Sequence, residues 1–162
     1  MAPTWAEDVV SVFRDVKEEI DSNQKQGLKS DGVLDQLRPG LQNLGFIIEQ
    51  GKQKNQKISR PVLFGDEGVP IVNYEVDGWH PEHHIVLEVE AGRGWMGNAI
   101  YRDLIRTSLI VGAEYLVIAM MDVYEYGSTR HRDYESALGE LDAIYASGRL
   151  KLPFRGILLI GY

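Results

Sequence analysis

The segment Asn73–Gly92 constrains the fold of this chain most, because it places acidic residues in otherwise apolar runs. Glu88 and Glu90 are spaced i, i+2 in one such run, and Asp77 ends an earlier one. Side chains two positions apart in a β-strand share a face. Carboxylates in a buried strand are costly unless cationic groups meet them. The segment therefore predicts a strand with one apolar face and one face that gathers acids.

Two predicted strands, Ile71–Asp77 and His84–Ala91, carry the valine, isoleucine and tyrosine residues typical of β-structure. The segment between them, Gly78–His83, contains glycine and proline and predicts a turn. The simplest arrangement is an antiparallel hairpin in which the chain reverses between Glu82 and His83.

In this hairpin Asp77 lies opposite Glu88, and Glu75 lies opposite Glu90. Directly opposed residues have Cβ atoms roughly 5 Å apart, so all four acids share one face. The other face is apolar and consists of Tyr74, Val76, Leu87 and Val89. A slip of one residue would turn acids into the core, so the pattern partly fixes the register.

Composition limits the classes of protein that fit. The 162 residues are 44% hydrophobic and 25% charged, which is ordinary for a globular protein with a real core. The absence of cysteine excludes disulfides, thiolate metal sites and cysteine nucleophiles, and fits a cytoplasmic protein. No apolar run reaches the roughly 20 residues that span a bilayer, and Met1–Asp21 is too charged for a signal peptide. The net charge of −7 argues against nucleic-acid binding by bulk charge, although bound cations can cancel acidic clusters.

Hydrophobic periodicity predicts an α/β protein with a single mixed β-sheet flanked by helices. Besides the hairpin, the predicted elements are helices at Trp5–Ile20, Asp31–Leu44, Asn98–Val111 and Tyr134–Ser147, and strands at Phe46–Gln50, Tyr115–Met121 and Gly156–Gly161. Asp31 is the expected N-cap of the second helix, and Pro39-Gly40 is expected to kink or split it. The continuous apolar run at Tyr115–Met121 is typical of a buried strand that follows a crossover helix.

The hairpin, with Asp77 followed eleven residues later by Glu88-Val89-Glu90, resembles the PD-(D/E)xK nuclease superfamily, which includes many type II restriction endonucleases. The resemblance covers roughly Asp31–Met121. It implies a restriction endonuclease-like αβββαβ core within a single domain of residues 1–162. Residues 1–30 then form an N-terminal helix and loop, and residues 122–162 a C-terminal helix and strand.

The resemblance implies that Asp77 and Glu88 bind Mg²⁺ or Mn²⁺ and flank a scissile phosphate. Val76 stands where the family has proline, and Glu90 stands where it has lysine. Similar E-x-E variants use the last glutamate as a metal ligand or water activator, so Glu90 either preserves activity or marks a relative that does not cut. Glu49 is a candidate additional ligand.

The implied function is metal-dependent hydrolysis of DNA phosphodiester bonds, with Asp77, Glu88 and Glu90 as catalytic and metal-binding acids. A cation such as Lys52 or Lys57 would replace the missing lysine. The alternative is a catalytically inactive nuclease fold that binds DNA or another protein. Because 162 residues are few for a sequence-specific enzyme, action as a homodimer or with a partner protein stays open, and no membrane partner is expected.

Basic residues occur in two places that could contact DNA. The polar segment Gly51–Arg60 carries Lys52, Lys54, Lys57 and Arg60, and it fits either a solvated loop or a phosphate-contacting arm. Arg102 and Arg106 lie i, i+4 on one predicted helix face. They fit either phosphate binding or ordinary surface pairing with the adjacent Asp103.

Aromatic and histidine residues around the turn allow further alternatives. His80, His83 and His84 could bind a transition metal such as zinc or simply form a solvated turn. A third hypothesis is therefore a small acidic protein with a structural metal in this turn. Trp79 and Trp95 could stack on bases, with core packing as the default. Arg130-His131-Arg132 fits either a DNA contact or a charged loop.

Overall fold

The computed structural model describes residues 2–92 and 98–162. In chain order these residues form α1 (Thr4–Asp15), α2 (Lys17–Ile20), α3 (Ser30–Asn43), β1 (Ile47–Ile48), a 3₁₀ turn (Lys54–Gln56), β2 (Ile58–Phe64), β3 (Pro70–Val76), β4 (Gly78–His80), β5 (Ile85–Glu90), α4 (Ala99–Ser108), β6 (Tyr115–Met120), β7 (Tyr124–Tyr126), β8 (Thr129–His131), α5 (Asp133–Ser147) and β9 (Gly156–Gly161). The predicted α/β class is confirmed, but the predicted single sheet was wrong in part, because two two-stranded sheets, β2–β3 and β7–β8, accompany a five-stranded mixed sheet.

A five-stranded mixed sheet in the order β1-β4-β5-β6-β9 forms the centre of the molecule. The strands β1, β4 and β5 pair antiparallel, whereas β5, β6 and β9 pair parallel. Parallel neighbours need long crossover connections, which contain α4 and α5. The sequence runs that are apolar without interruption became β6 and β9, as expected for strands covered on both faces.

Each face of the sheet has its own hydrophobic core. On one face, α1 and α3 pack against Leu87, Val89 and Val117. On the other face, α4 and α5 pack against Val86 and Leu116. The alternate side chains of β5 and β6 thus enter opposite cores, which confirms the prediction of helices on both faces.

The two N-terminal helical segments depart from prediction in detail. The helix predicted for Trp5–Ile20 is divided into α1 and α2. Asp31 is not the N-cap of α3, because Lys29 occupies that position and makes no side-chain capping bond. Helix α3 also continues through Pro39. A Cβ at Gly40 would lie 2.6 Å from Val12 Cγ1, so this glycine permits the close packing of α1 on α3.

The predicted partner of β5 was wrong. Strand β3 pairs with β2 in a separate two-stranded sheet, and the short strand β4 pairs with β5 instead. Glu75 therefore lies opposite Ser59 and not opposite Glu90. Tyr74 and Val76 consequently pack in the α4 core, away from Leu87 and Val89.

The β4–β5 hairpin keeps the predicted register. Gly78 is paired with Leu87, and His80 with Ile85. This pairing centres the reversal between Glu82 and His83, as predicted. In residues 2–92 and 98–162, no helix has the length and apolar composition needed to cross a bilayer.

Candidate cation site at the end of strand β5

The β4–β5 hairpin brings Asp77 and Glu88 together near the carboxyl end of β5. Because Gly78 is paired with Leu87, the next position along the hairpin aligns Asp77 with Glu88. The backbone N–H of Val89 donates a hydrogen bond of 2.7 Å to Asp77 Oδ2. This bond fixes the Asp77 carboxyl group beside β5, as the sequence register predicted.

A second pair of acids lies beside the first. Arg102 from α4 bridges them, since its Nη2 lies 2.6 Å from Glu90 Oε1 and its Nε lies 2.9 Å from Asp103 Oδ1. Asp103 is only 3% exposed, whereas the Arg102 side chain is 52% exposed. The Tyr162 hydroxyl donates to the Glu90 carbonyl oxygen over 2.9 Å, which anchors the end of β5.

Burial and mutual repulsion raise the pKa values of the acids in this cluster. Burial raises the pKa of Asp77 to about 7, although the hydrogen bond from Val89 opposes the shift. Burial, together with the neighbouring Asp103 carboxyl group, raises the pKa of Glu90 to about 8. The pKa of Glu88 is raised well above its ordinary value by burial and then by the charge of Asp77. A nearby positive charge would therefore stabilise the ionised forms of these acids.

Lys57 supplies one such charge. Its Nζ lies 2.8 Å from Glu49 Oε2, and the pair is largely buried. The hydrogen bond to Glu49 raises the pKa of Lys57 despite burial, and the charge of Asp77 contributes. The backbone N–H of Glu49 also donates to the Asp77 carbonyl oxygen over 2.9 Å. Glu49 and Lys57 therefore both lie at the site, whereas Lys52 forms an ion pair with Asp31.

The acids are arranged as two pairs. Among the described residues, no three Asp, Glu, His or Cys side chains are placed to hold one metal ion together. Mg²⁺ keeps several waters and is often bound by one or two carboxylates plus substrate phosphates. The half-buried pair Asp77 and Glu88 fits such a cation by its donor chemistry. Joint binding of one ion by these two residues and Glu90 stays a prediction.

The other predicted DNA-contacting residues are mostly engaged within the chain. The Arg60 guanidinium stacks 3.9 Å from the centre of the Trp79 ring, and burial lowers its pKa. Arg106 Nη2 lies 3.4 Å from the Glu75 carbonyl oxygen, and its guanidinium lies over the Tyr74 ring. Trp79 is buried, so it packs in the core and does not present its face for stacking on bases.

Lys54, at the start of the 3₁₀ turn, is exposed, as are Lys52 and Arg102, each of which forms an ion pair. The segment Gly51–Arg60 is not a loop throughout, because the 3₁₀ turn covers Lys54–Gln56 and β2 begins at Ile58. Arg130 and Arg132 form ion pairs with Glu125 and Glu135. The segment is therefore charged and largely exposed, but it is not a loop, because β8 covers Thr129–His131.

The histidine turn has a structural role that the sequence did not reveal. His80 is buried, and its Nε2 lies 2.7 Å from the Leu44 carbonyl oxygen. Its Nδ1 accepts a hydrogen bond from the His83 N–H over 3.2 Å. Both ring nitrogens of His80 are thus occupied, so the prediction of a solvated turn was wrong for this residue. His84 Nδ1 lies 2.9 Å from the Gly112 carbonyl oxygen.

Asp103 is the site residue that sequence reasoning missed. The expected surface pairing of Arg102 with Asp103 is present, but the aspartate itself is buried. A signal for this burial exists in the sequence: Ile100, Asp103, Leu104 and Thr107 share the i, i+3, i+4, i+7 spacing of one helix face. An acid on an apolar helix face points toward the sheet and, here, toward the end of β5.

Trp95 and the glycine-rich stretch 92–94 lie wholly or partly outside the described residues.

We compared the chain with protein-family models, with curated proteins and with solved structures, and none of these comparisons found a match. The interpretation of the site therefore depends on its own residues and geometry.

Proposed function

We propose that this chain is a divalent-cation-dependent nuclease that hydrolyses phosphodiester bonds of DNA. The observation that carries the proposal is the alignment of Asp77 with Glu88 on a hairpin whose acids have raised pKa values. Buried acids that need positive charge are typical of a site that meets a cation.

The arrangement of elements supports a restriction endonuclease-like core. In chain order, α3, β1, β4, β5, α4 and β6 follow the αβββαβ order that the sequence resemblance implies, with the β2–β3 hairpin inserted. Asp77 immediately precedes the second of these core strands, and Glu88 and Glu90 lie on the third. This order of elements and these positions of the acids support the proposal.

The residues of the chain have distinct roles in this proposal. A bound Mg²⁺ or Mn²⁺ would stabilise charge on the phosphate and lower the pKa of a water molecule. Asp77 and Glu88 would hold the cation, and the Val89 N–H orients the Asp77 carboxyl group. Lys57 contributes positive charge close to Asp77, in place of the lysine that the family has at position 90.

Glu90 suits the role of water activator only when it is ionised. With a pKa of about 8 it is mostly protonated at neutral pH, because burial and Asp103 disfavour its charge. The ion pair with Arg102 opposes this effect. Asp77 and Glu88 therefore carry the proposal, and Glu90 has a secondary part.

Cleavage of supercoiled plasmid DNA with Mg²⁺ or Mn²⁺ tests this function. We expect the wild-type chain to nick or linearise the plasmid. Because loss of groups that only support a metal ligand commonly costs 10- to 100-fold, Asp77→Ala and Glu88→Ala should each reduce the rate by at least about 100-fold. Lys57→Ala should reduce it by about 10-fold or more, whereas the matched surface variant Lys17→Ala, on α2, should retain the wild-type rate. Equal rates for wild type and Glu88→Ala would contradict the proposal.

A second candidate is a nuclease fold that binds DNA without cutting it. Glu90 stands where the family has lysine, and Arg102 forms an ion pair with it. Because this ion pair engages the Glu90 carboxylate, it favours the second candidate. It predicts no cleavage by the wild-type chain under any divalent cation, together with a DNA mobility shift that Asp77→Ala leaves intact.

A further inference from the structure

We infer that two copies of this chain pair through the free edge of β9 and join their five-stranded sheets into one continuous sheet. The two β9 strands run antiparallel, related by a twofold axis that passes between them near Leu158 and Leu159. The partner on this edge is therefore a second copy of the same chain. The inference goes beyond the proposed function, because pairing of two chains requires neither a cation nor DNA.

The first observation is that β9 is an edge strand without the features that usually protect one. Among the strands of the described residues, β9 pairs with β6 alone, and this pairing contains no bulge. Its six residues, Gly156–Gly161, include no charge and no proline. Charges, prolines, bulges or short length normally keep an edge from pairing with another chain. The opposite edge strand, β1, has only two residues and is protected by its length.

The second observation is an open apolar flank of α1 beside β9. A cavity of about 410 Å³ separates Leu158 from the flank of α1 that carries Ala6 and Val10. The opposite flank of α1 packs on α3, where Val12 meets Gly40. The open flank therefore faces away from α3, toward the free edge of the sheet.

The other face of the sheet also presents apolar side chains toward this edge. Leu138 and Tyr145 of α5 are 41% and 56% exposed, and they lie i, i+7 on one helix flank. Tyr101 of α4 donates a hydrogen bond to Glu140, on the opposite flank of α5. Leu138 and Tyr145 consequently face away from α4, over the β9 edge, where a second copy would cover them.

The third observation is that α1 runs in the same direction as β9. The Trp5 ring lies 5.1 Å from the ring of Tyr115 at the start of β6. The Phe13 ring lies 6.5 Å from the ring of Tyr162, directly after β9. Because β6 and β9 are parallel, a twofold axis that makes the two β9 strands antiparallel also makes the two α1 helices antiparallel.

The charges on α1 match this twofold arrangement and select a second copy as the partner. Glu7 and Arg14 are exposed and line the same cavity as Leu158. Within residues 2–92 and 98–162, neither of them forms an ion pair. Antiparallel α1 helices place Glu7 of each copy opposite Arg14 of the other. The interface is thus complementary to itself in charge as well as in its strand edge.

Sedimentation velocity of the 162-residue chain over a dilution series tests the inference. We expect a species of twice the chain mass of 18.3 kDa. Leu158→Lys places a charge on the β9 edge and should leave only the monomer. Ile47→Lys makes the same kind of change on the opposite edge strand, at a residue that is 53% exposed, and should keep the dimer. Circular dichroism confirms that each variant is folded.

Charge reversal on α1 gives a second arm that does not touch the core. Glu7→Arg and Arg14→Glu should each weaken dimerisation by about tenfold or more, because like charges then face each other across the axis. An equimolar mixture of the two variants should recover the wild-type affinity, since every arginine faces a glutamate in the mixed dimer. Asp8→Arg, on the other flank of α1, should leave the affinity unchanged.

A wild type that stays monomeric at every concentration would leave the β9 edge to a different partner and overturn the inference. A folded Leu158→Lys chain that still dimerises would overturn it as well. The same holds for a mixture of Glu7→Arg and Arg14→Glu that associates no more tightly than either variant alone. None of these results depends on plasmid cleavage, so the inference and the proposed function fail separately.

Discussion

Glutamate carboxyl groups at the two edges of the parallel part of the sheet have pKa values that are shifted in opposite directions. At the amino edge, Glu114 precedes β6 and Arg155 precedes β9, and the two side chains form an exposed ion pair of 2.9 Å. The hydrogen bond from Arg155 lowers the pKa of Glu114. At the carboxyl edge, Glu88 and Glu90 end β5, where burial raises their pKa values.

The contrast distinguishes acids whose ionised form is stabilised by the surroundings from acids whose ionised form is destabilised. A solvated glutamate beside an arginine is ionised at little cost, and such pairs contribute little to stability. A buried group of carboxylates makes the folded state less stable unless positive charge reaches it. The carboxyl edge therefore contains an arrangement that folding alone does not favour, which is typical of functional sites.

The largest stability effect should distinguish neighbouring residues of β5. Leu87 is fully buried in the α1–α3 core, so Leu87→Ala should lower the free energy of unfolding by about 3 kcal/mol. Glu88→Gln should instead raise it near pH 8 without metal, because a neutral amide avoids the cost of a buried charge. Urea denaturation in EDTA measures both. A loss for Glu88→Gln as large as that for Leu87→Ala would make Glu88 an ordinary structural residue.

A smaller effect should appear in the pH dependence of stability without metal. Burial raises the pKa of Asp77 from its ordinary value of 3.8 to about 7 in the folded chain, so the folded state binds the proton more tightly. The stability it contributes is complete below pH 4 and is lost as the pH rises through 7. A fully buried group with this difference would contribute about 4 kcal/mol, and the partial solvent access of Asp77 reduces the expected value to about 2 kcal/mol.

Urea denaturation at several pH values between 5 and 8 checks this expectation. Asp77→Asn should remove the corresponding part of the fall in unfolding free energy. Glu114→Gln is the matched control from the other edge, because its pKa is lowered and its titration lies below this range. If the unfolding free energy of Asp77→Asn fell with pH in parallel with that of the wild type, the pKa of Asp77 would not be raised in the folded state.

The register of the acidic hairpin could be predicted from the sequence because the alternation of acids with apolar residues allows few arrangements. One reversal, between Glu82 and His83, aligns Asp77 with Glu88. The same alternation could not identify the strand that carries Asp77. Strand β4 contains only Gly78, Trp79 and His80. A segment this short that begins with glycine and is followed by proline predicts a turn and not a strand.

Strand β2 was missed for a different reason. Pro61 interrupts its sequence pattern, and proline normally excludes a central strand. In the structure β2 belongs to a two-stranded sheet, and its pairing with β3 shifts register between Pro61 and Leu63. Such an irregularity tolerates proline, but periodicity alone does not reveal it.

The candidate cation site was predictable where it depends on β5 and not where it depends on packing between elements. The placement of Glu88 and Glu90 on one face follows from the alternation of side chains along β5. Asp103 reaches the site only because α4 packs on that face of the sheet, and Lys57 reaches it through its contact with Glu49. Contacts between elements distant in the chain are set by tertiary structure, which a local pattern does not specify.

The position of a bound cation tests the central claim most directly. A crystal of the 162-residue chain grown with Mn²⁺ should show an anomalous scattering peak at the carboxyl end of β5, with oxygens of Asp77 and Glu88 about 2 Å away. A peak confined to other acids or to the histidine turn, with Asp77 and Glu88 free of metal at saturating Mn²⁺, would contradict it.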